Sequence, residues 1–363
     1  MNFGQPQMQQ NKGVPASTMA VQGAGEGQSA AAQNTVFAID TQHEANINDC
    51  QFDYYGTQVA SVGSEGFLQI SSVRNDLGQQ QQNPGSTFKA HEGPIWQVAW
   101  AHPKYESVVA TCGYDGFVNV WKRDLNNNWE NLVFQENLES SVNCIAWAPW
   151  EYGLILAAGT AEGRLVIFVR TPEDQWVKSH DFIAHQSGVN GISWGPATEP
   201  AILAEHSASA GAASGKFQPP VKRLVTGGND NEVQLWELKD GEETPVLTTI
   251  GSHGDWVRDV AWCSNIGLMH EMVASCSEDA TCKVWVSEGG KKGWKLRQEI
   301  RFDGNVPLWK VSWSQVGNLL AISGGDNQVR IMSENANGEW TQIQIVNEET
   351  SQESSGTGPA GAQ

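Results

Sequence analysis

Hydrophobic positions along the middle of this chain occur in short runs that alternate with polar positions, and the runs repeat. Alternation over four to eight residues is typical of a β-strand with one buried face. Pairs of such strands, joined by a Gly/Asp turn, recur at residues 58–71, 108–121, 155–168, 223–236, 272–285 and 319–332. Self-similarity of this kind predicts a repeat architecture.

Each of the six copies has an acidic residue six positions before its end. These residues are Glu65, Asp115, Glu162, Asp230, Asp279 and Asp326. They are separated by 50, 47, 68, 49 and 47 positions, and the long interval contains the stretch 198–220. An upstream strand that ends in Trp and a downstream strand complete most units. Four short strands in each of six units predict an all-β, six-bladed β-propeller, and the acidic-to-Trp ending is typical of the WD40 class.

One strand-like run, residues 35–40, is left over after each unit has received four strands. The last unit already ends in its own strand at 340–346. We therefore expect an open ring, in which the N-terminal strand belongs to a seventh blade whose other three strands come from a partner by β-augmentation. In the alternative, residues 35–40 pair with the sixth blade and the ring is closed by this chain alone.

The open ring predicts which side chains contact the partner. The spare strand should present its apolar residues to the seventh-blade slot, and blade six should offer a second, weaker set. The predicted contacts are Val36, Phe37, Ala38 and Ile39 on the spare strand, with Trp309, Val311, Leu320 and Ile322 on blade six.

Composition divides the chain into one folded part and two tails. Residues 1–34 and 347–363 contain too few large apolar residues to offset their ordering entropy, so we expect disordered tails around a propeller at 35–346. The insertion 198–220 and the Gln-rich stretch 74–87 have the same character.

Charge and cysteine content exclude several classes of function. The chain has 22 basic and 41 acidic residues, a net charge of −19, which argues against nucleic acid or an anionic membrane as a direct ligand. No secretory signal and no bilayer-spanning apolar run is recognisable, so we expect a cytosolic or nuclear protein with reduced thiols. The six cysteines lack zinc-site spacing, and we expect neither a metal nor a cofactor.

Three sets of His, Ser/Thr and Asp look like hydrolase triads. An enzyme needs one activated nucleophile beside an oxyanion hole, and copies spread round a ring favour a structural network in which Trp covers the polar groups. The predicted structural tetrads are His91, Thr111, Asp115 and Trp121; His185, Thr226, Asp230 and Trp236; and His253, Ser275, Asp279 and Trp285. Blades one, three and six depart from the pattern, because Ser71, Phe168 and Met332 replace the final Trp, although the first retains His43.

Several runs are more specific than the general WD40 pattern. They are DYYGTQVAS (53–61), HEGPIWQVAWAHP (91–103), CIAWAPWEYGLILAAGTAEG (144–163), SHGDWVRDVAWCSNIGL (252–268) and ISGGDNQVRIM (322–332). In these runs the chain resembles the Sec-thirteen family of open WD40 propellers, over about residues 35–346. The sister Seh-one family shares the WAHP run at 100–103 but fits the other segments less well. Met332, the N-terminal tail and the 198–220 insertion depart from the usual compact form.

The resemblance implies a non-enzymatic scaffold of the COPII vesicle coat, in ER-to-Golgi transport, and of the nuclear pore outer scaffold. The implied partners donate a blade: the large COPII cage subunit or a helical-solenoid nucleoporin. Membrane contact would be indirect, through the coat on the cytoplasmic face of the ER and its vesicles. The family also implies a coat-like nutrient-signalling complex at the vacuole or lysosome as an alternative.

Two other classes of function predict different behaviour. A closed WD40 adaptor would bind basic or modified peptides on its top face, which the acidic charge would suit. A hydrolase would lose turnover, but not its fold, on replacement of His253 by Ala, whereas we expect a loss of stability.

Overall fold

A computed structural model describes residues 18–22, 36–73, 85–126, 128, 129, 131–197, 221–239, 241, 242, 244–264, 270–287 and 293–346, with the backbone alone at 18–22 and 36–40. Among these residues, no helix is long and apolar enough to cross a lipid bilayer.

In the described part of the chain, twenty-four strands form six four-stranded antiparallel sheets, and in each sheet the strands follow one another in chain order. Blades one to three are β3–β6 (Ile47–Phe52, Gln58–Gly63, Phe67–Ser72, Ser86–Lys89), β7–β10 (Ile95–Trp100, Val108–Gly113, Phe117–Lys122, Leu132–Asn137) and β11–β14 (Val142–Trp147, Ile155–Thr160, Arg164–Arg170, Trp176–Ile183). Blades four to six are β15–β18 (Val189–Trp194, Lys222–Gly228, Glu232–Leu238, Val246–Ser252), β19–β22 (Val257–Trp262, Glu271–Ser277, Thr281–Ser287, Lys295–Arg301) and β23–β26 (Leu308–Trp313, Leu319–Gly324, Val329–Glu334, Trp340–Val346). The predicted six-bladed, all-β propeller is confirmed.

Short 3₁₀ helices at Pro103–Tyr105 and Trp150–Tyr152 follow the first strands of blades two and three. The turn between the second and third strands needs a left-handed backbone. Gly116 and Gly163 supply it in blades two and three with φ of 82° and 83°, and Asn231 does so in blade four with φ of 69°. Gly163 also permits close packing, because a Cβ there would lie 2.1 Å from the carbonyl oxygen of His185 in the next blade.

The described residues form five buried apolar clusters, and each cluster spans two consecutive blades from one to six. The cluster between blades five and six, for example, joins Met272 and Ala274 to Leu308 and Leu320. The first strands of consecutive blades also contact each other from β3 through to β23. Stability therefore comes from stacking each blade on its neighbours, as in other repeat proteins.

The N-terminal strands form a separate two-stranded antiparallel sheet. Strand β1 (Thr18–Gln22) pairs with β2 (Val36–Asp40) from Thr18↔Asp40 to Gln22↔Val36. Strand β2 is the predicted spare strand, and no ladder joins it to the sheet of blade six. One edge of β2 is paired with β1, which lies in the segment predicted to be a disordered tail. This pairing satisfies the backbone N–H and C=O groups of that edge.

Candidate partner-binding faces and polar tetrads

The predicted tetrad of blade two is assembled in the structure. His91 Nδ1 lies 2.9 Å from Asp115 Oδ1, and His91 Nε2 lies 2.9 Å from Thr111 Oγ1. The Trp121 indole N–H donates to the same hydroxyl at 3.1 Å. His91 and Thr111 are buried and cannot bond to water, and these hydrogen bonds give their polar groups partners inside the protein.

Blades four and five repeat this geometry. His185 lies 2.8 Å from Asp230 and 2.7 Å from Thr226, to which the Trp236 indole donates at 3.0 Å. In blade five, the corresponding four residues are His253, Ser275, Asp279 and Trp285, with a His253 Nε2 to Ser275 Oγ distance of 2.7 Å. Three equivalent networks in three blades suit a structural role.

The tetrad carboxylates have lowered pKa values. Burial acts to raise the pKa of Asp279, but hydrogen bonds from His253, Thr281 and the Gly254 N–H outweigh it. Burial is likewise opposed at Asp115 and Asp230, where the His hydrogen bond is the main cause of the lowered pKa. These carboxylates are held ionised as acceptors, which fixes the turn that carries them.

Blades one and six carry altered networks. In blade one, His43 contacts Glu65 and lies 3.0 Å from Ser61 Oγ, without a covering Trp. In blade six, the guanidinium of Arg330 pairs with Asp326 instead of a histidine. The two blades at the ends of the series thus differ from the complete tetrads of blades two, four and five.

Hydrogen bonds between first strands join the blades in order. The Val98 N–H donates to Asp49 Oδ2 at 3.1 Å, and the Val311 N–H donates to Asp259 Oδ2 at 3.1 Å. A Trp at the end of the first strand adds a second bond, in which its indole N–H donates to a carbonyl of the preceding blade at 2.9 to 3.0 Å. These donors are Trp100, Trp147, Trp194 and Trp313.

This series stops between blade six and blade one. Strands β23 and β3 are both described throughout, and no hydrogen bond joins them. Blade one has Phe52 where each of the other five first strands has Trp. A Phe side chain cannot donate, so the residue type matches the absence of a preceding carbonyl.

Blade six is buried on one face and partly exposed on the other. Along β24, Leu320 and Ile322 are fully buried, whereas the alternate residues Leu319, Ala321 and Ser323 are only half-buried. We call this second surface the exposed face of blade six. It consists of Lys310, Ser312, Leu319, Ala321, Ser323, Val329, Ile331, Ser333 and Val346.

Blade one is also exposed along its first strand. Cys50 is exposed and Phe52 is 37% exposed. The residues aligned with Cys50 in the next blades, Val98 and Ile145, are 1% and 2% exposed because the preceding blade covers them.

Comparison with known proteins places these features in a family. The pattern described as "WD domain, G-beta repeat" matches residues 82–122, 244–286 and 296–332. "Protein transport protein SEC13 homolog A" of Arabidopsis thaliana is 48% identical over 309 residues, which cover 85% of this chain and 98% of that protein.

The chain belongs to the Sec-thirteen (SEC13) family. A "Protein SEC13 homolog" of Dictyostelium discoideum is 45% identical, over 85% of this chain and 97% of that protein. "Protein transport protein SEC13" of Yarrowia lipolytica is 39% identical, over 85% of this chain and 99% of that protein. The resemblance found in the sequence is confirmed.

The predicted contact residues of this Sec-thirteen chain fall into three groups. Val311, Leu320 and Ile322 are buried against blade five, so their prediction as partner contacts is wrong. Their side chains point to the face of the sheet opposite to the exposed face of blade six. Trp309 is 41% exposed, with the Arg258 guanidinium 5.1 Å from its ring centroid, and it stays a candidate. Val36, Phe37, Ala38 and Ile39 all lie on β2, and their role also stays a prediction.

The first strands of this Sec-thirteen chain also carry a group of interacting charges, in which Asp259 and Asp49 are half-buried and Lys310 is exposed. Attraction to Asp259 raises the pKa of Lys310 against the effect of burial, and Asp49 adds to the attraction. Burial raises the pKa of Asp259 and of Asp49, which Lys310 counteracts. Lys310 of blade six therefore couples blade five to blade one by electrostatics. Among the described residues, no cluster of three or more His, Cys, Asp and Glu is placed to bind a metal ion.

Proposed function

We propose that this chain is a non-enzymatic scaffold subunit in protein transport, and that a partner protein inserts strands between blade six and blade one. The names of the relatives from Arabidopsis and Yarrowia support the transport role. The observation that carries the structural part is the exposed face of blade six, since the equivalent faces of the preceding blades are buried.

The exposed surfaces on either side of the gap contain large apolar side chains. Leu319, Val329 and Ile331 on blade six, and Phe52 on blade one, would leave water if strands were inserted between them. Burial of apolar area contributes about 25 cal/mol per Å², and obligate interfaces commonly exceed about 2,000 Å² in total. A complex formed in this way would be long-lived.

The spare strand gives the inserted segment a backbone partner. Strand β2 has one edge occupied by β1 and, among the described residues, one edge outside any ladder. A partner that adds two strands to this edge would complete a four-stranded seventh blade by main-chain hydrogen bonding. The finished ring would stiffen the partner at the point of insertion.

The family resemblance supports the finer assignment. The partner is the large cage subunit of the COPII coat at the ER and its vesicles, and a helical-solenoid nucleoporin at the nuclear pore. Contact with the membrane is indirect, through the coat. A coat-like nutrient-signalling complex at the vacuole or lysosome is an alternative assembly built on the same insertion.

A matched pair of variants tests the insertion. Ile331→Arg places a charge on the exposed face of blade six, and Val177→Arg places one at a 42% exposed position of blade three. The tagged chain would be isolated from its own cells, and its stoichiometric partner quantified by mass spectrometry. We expect Ile331→Arg to lose at least tenfold of the partner with an unchanged melting temperature, and Val177→Arg to retain it.

The opposite results have defined meanings. Full recovery of the partner with Ile331→Arg would contradict insertion at this face. A wild-type chain that is isolated as a stable monomer and binds basic peptides would instead support the closed adaptor.

A further inference from the structure

A line of exposed aromatic residues runs across three blades on the side of the ring opposite to the tetrad turns. The loops that follow the first strands of blades one, two and three carry it. Tyr54, Tyr55 and Trp150 are 60%, 70% and 40% exposed, and His102 is half-buried. We call Tyr55, Tyr54, His102 and Trp150 the aromatic strip.

The rings of the strip contact one another in sequence. The centroids of Tyr55 and Tyr54 are 5.3 Å apart, and those of Tyr54 and His102 are 5.1 Å apart. His102 stacks on Trp150 with centroids 5.5 Å apart and an interplanar angle of 27°. Single exposed aromatics are common on protein surfaces, but a contiguous set indicates an interaction site.

Hydrogen bonds hold both ends of the strip in place. The Thr57 and Gln58 N–H groups donate to Asp53 Oδ1 at 2.6 and 2.8 Å, which fixes the turn bearing the two tyrosines. At the other end, the Tyr105 hydroxyl donates to the Trp150 carbonyl oxygen at 2.9 Å. Lys104 Nζ lies 4.5 Å from the Trp150 ring centroid. A surface ordered before binding has less conformational entropy to lose.

The chemistry of the strip selects among modes of peptide recognition. Its loops present no sheet edge, so they cannot add a partner strand. The hydroxyls of Tyr54 and Tyr55 and the indole N–H of Trp150 have no hydrogen-bond partner among the described residues. A polyproline II segment has free carbonyl oxygens and few N–H groups, and it docks on aromatic surfaces. At about 3.1 Å per residue, about five residues of such a segment would cover the strip.

Charge further defines the ligand. Glu151, the residue after Trp150, is exposed and has no ion-pair partner in the described part of the chain. The chain as a whole has a net charge of −19. A basic residue next to the prolines would therefore be attracted at long range, and locally it would be attracted by Glu151 on the side away from Lys104.

We propose that the aromatic strip binds a proline-rich segment of a partner protein in polyproline II conformation, flanked by Lys or Arg. This surface is separate from the exposed face of blade six. The proposal is therefore independent of strand insertion.

Fluorescence anisotropy with the full chain tests the proposal. The probe is a fluorescein-labelled peptide of eight prolines followed by two arginines, and the control peptide has Gly and Ser in place of the prolines. We expect saturable binding of the proline peptide, at least tenfold tighter than the control.

Trp150→Ala and Tyr54→Ala should each weaken it at least tenfold without changing the melting temperature. Trp96→Ala, at a 37% exposed residue on the opposite side of the ring, should not. Glu151→Gln should weaken it severalfold and reduce its salt dependence.

Three outcomes would overturn the proposal. Equal affinity for both peptides would mean that charge alone is recognised. Unchanged binding by both Trp150→Ala and Tyr54→Ala, with both variants folded, would place the site elsewhere. Absence of saturable binding would mean that the strip does not bind this class of segment. If the chain then forms a dimer that Trp150→Ala dissociates, the occupant of the strip is a second copy of the chain.

Discussion

Blades five and six present equivalent faces, but only that of blade five is covered. The covered face of blade five contains Met272, Ala274, Cys276, Cys282 and Val284, which are all 0% exposed against blade six. The aligned residues of blade six are Leu319, Ala321, Ser323, Val329 and Ile331, which are all partly exposed. The two sets have similar size and polarity. The difference in exposure therefore arises because no blade among the described residues covers this face of blade six, and the sequence of blade six still suits a covered face.

The first strands of the same two blades differ in chemistry. Asp259 of blade five accepts the Val311 N–H of blade six at 3.1 Å. The aligned residue of blade six is Lys310, whose ammonium group can only donate. Blade six therefore cannot continue the series of acceptors to blade one. Both the exposed face and this change agree with the proposal that the next blade comes from a partner protein.

The largest effect should come from deletion of side chains at matched positions of the two faces. Met272→Ala removes a fully buried side chain and should lower the free energy of unfolding by about 2–5 kcal/mol. Leu319→Ala, at the aligned half-buried position, should cost the isolated chain less than about 1 kcal/mol. Urea unfolding of both variants measures the difference, and equal losses would mean that blade six is covered as blade five is.

The next largest effect concerns the polar network that blade five has and blade six lacks. His253→Ala leaves Ser275 and Asp279 without their buried partner, and should cost about 1–3 kcal/mol. His180→Ala, in the fourth strand of blade three, should cost about 0.5 kcal/mol or less. Thermal unfolding measures both. An unchanged melting temperature for His253→Ala would contradict a structural role of the tetrads.

The same network predicts a pH dependence. The pKa of Asp279 is lowered from its ordinary value of 3.8, so its stabilisation is complete above that value and is lost as the pH falls through the lowered pKa. Melting temperatures of the wild type should fall steeply below about pH 4, and Asp279→Asn should flatten this fall. If the melting temperature of Asp279→Asn falls below about pH 4 as steeply as that of the wild type, the stabilising role of the Asp279 carboxylate is contradicted.

A smaller effect is expected at Lys310. Lys310→Met should raise the pKa of Asp259 and Asp49 further, since burial already raises both and Lys310 counteracts it. A carboxyl whose folded pKa is raised binds more protons in the folded state, so stability falls as the pH rises through the window above 3.8. The variant should lose about 1 kcal/mol or less near pH 7, because water reaches Lys310, and the loss should vanish near pH 4.

Lys295→Met, at an exposed position of the fourth strand of blade five, is the control for this measurement. Its melting temperature should follow that of the wild type at each pH. A loss for Lys310→Met that does not change between pH 7 and pH 4 would mean that packing, and not charge, is responsible.

The number of blades and the tetrads could be predicted because local signals determine them. Period-2 alternation and the recurring acidic turn are readable within one repeat, and His91, Thr111 and Asp115 are brought together by the pairing that these signals specify. Blade three follows the same rule with Phe168, which is buried like the Trp it replaces.

The contact face of blade six could not be assigned from apolar character alone. Both faces of β24 contain apolar residues, so the sequence does not distinguish Leu320 and Ile322 from Leu319 and Ala321. The position of blade five, which covers Leu320 and Ile322, makes the distinction. One signal was available, because Phe52 replaces a Trp that donates to the preceding blade in four of the other five blades. The pairing of β1 with β2 had no such signal, since backbone hydrogen bonding depends little on side-chain identity.

The most direct test of the central claim is the reactivity of a thiol on the exposed face of blade six. Ser323→Cys gives blade six the residue that blade five has at Cys276, and Cys50→Ser removes the exposed native thiol. With a maleimide reagent, we expect the introduced thiol to react readily in the isolated chain and at least tenfold more slowly in the complex with the partner, while Cys276 stays unreactive in both. Equal reactivity in the two states, or protection already present in the isolated chain, would contradict strand insertion between blades six and one.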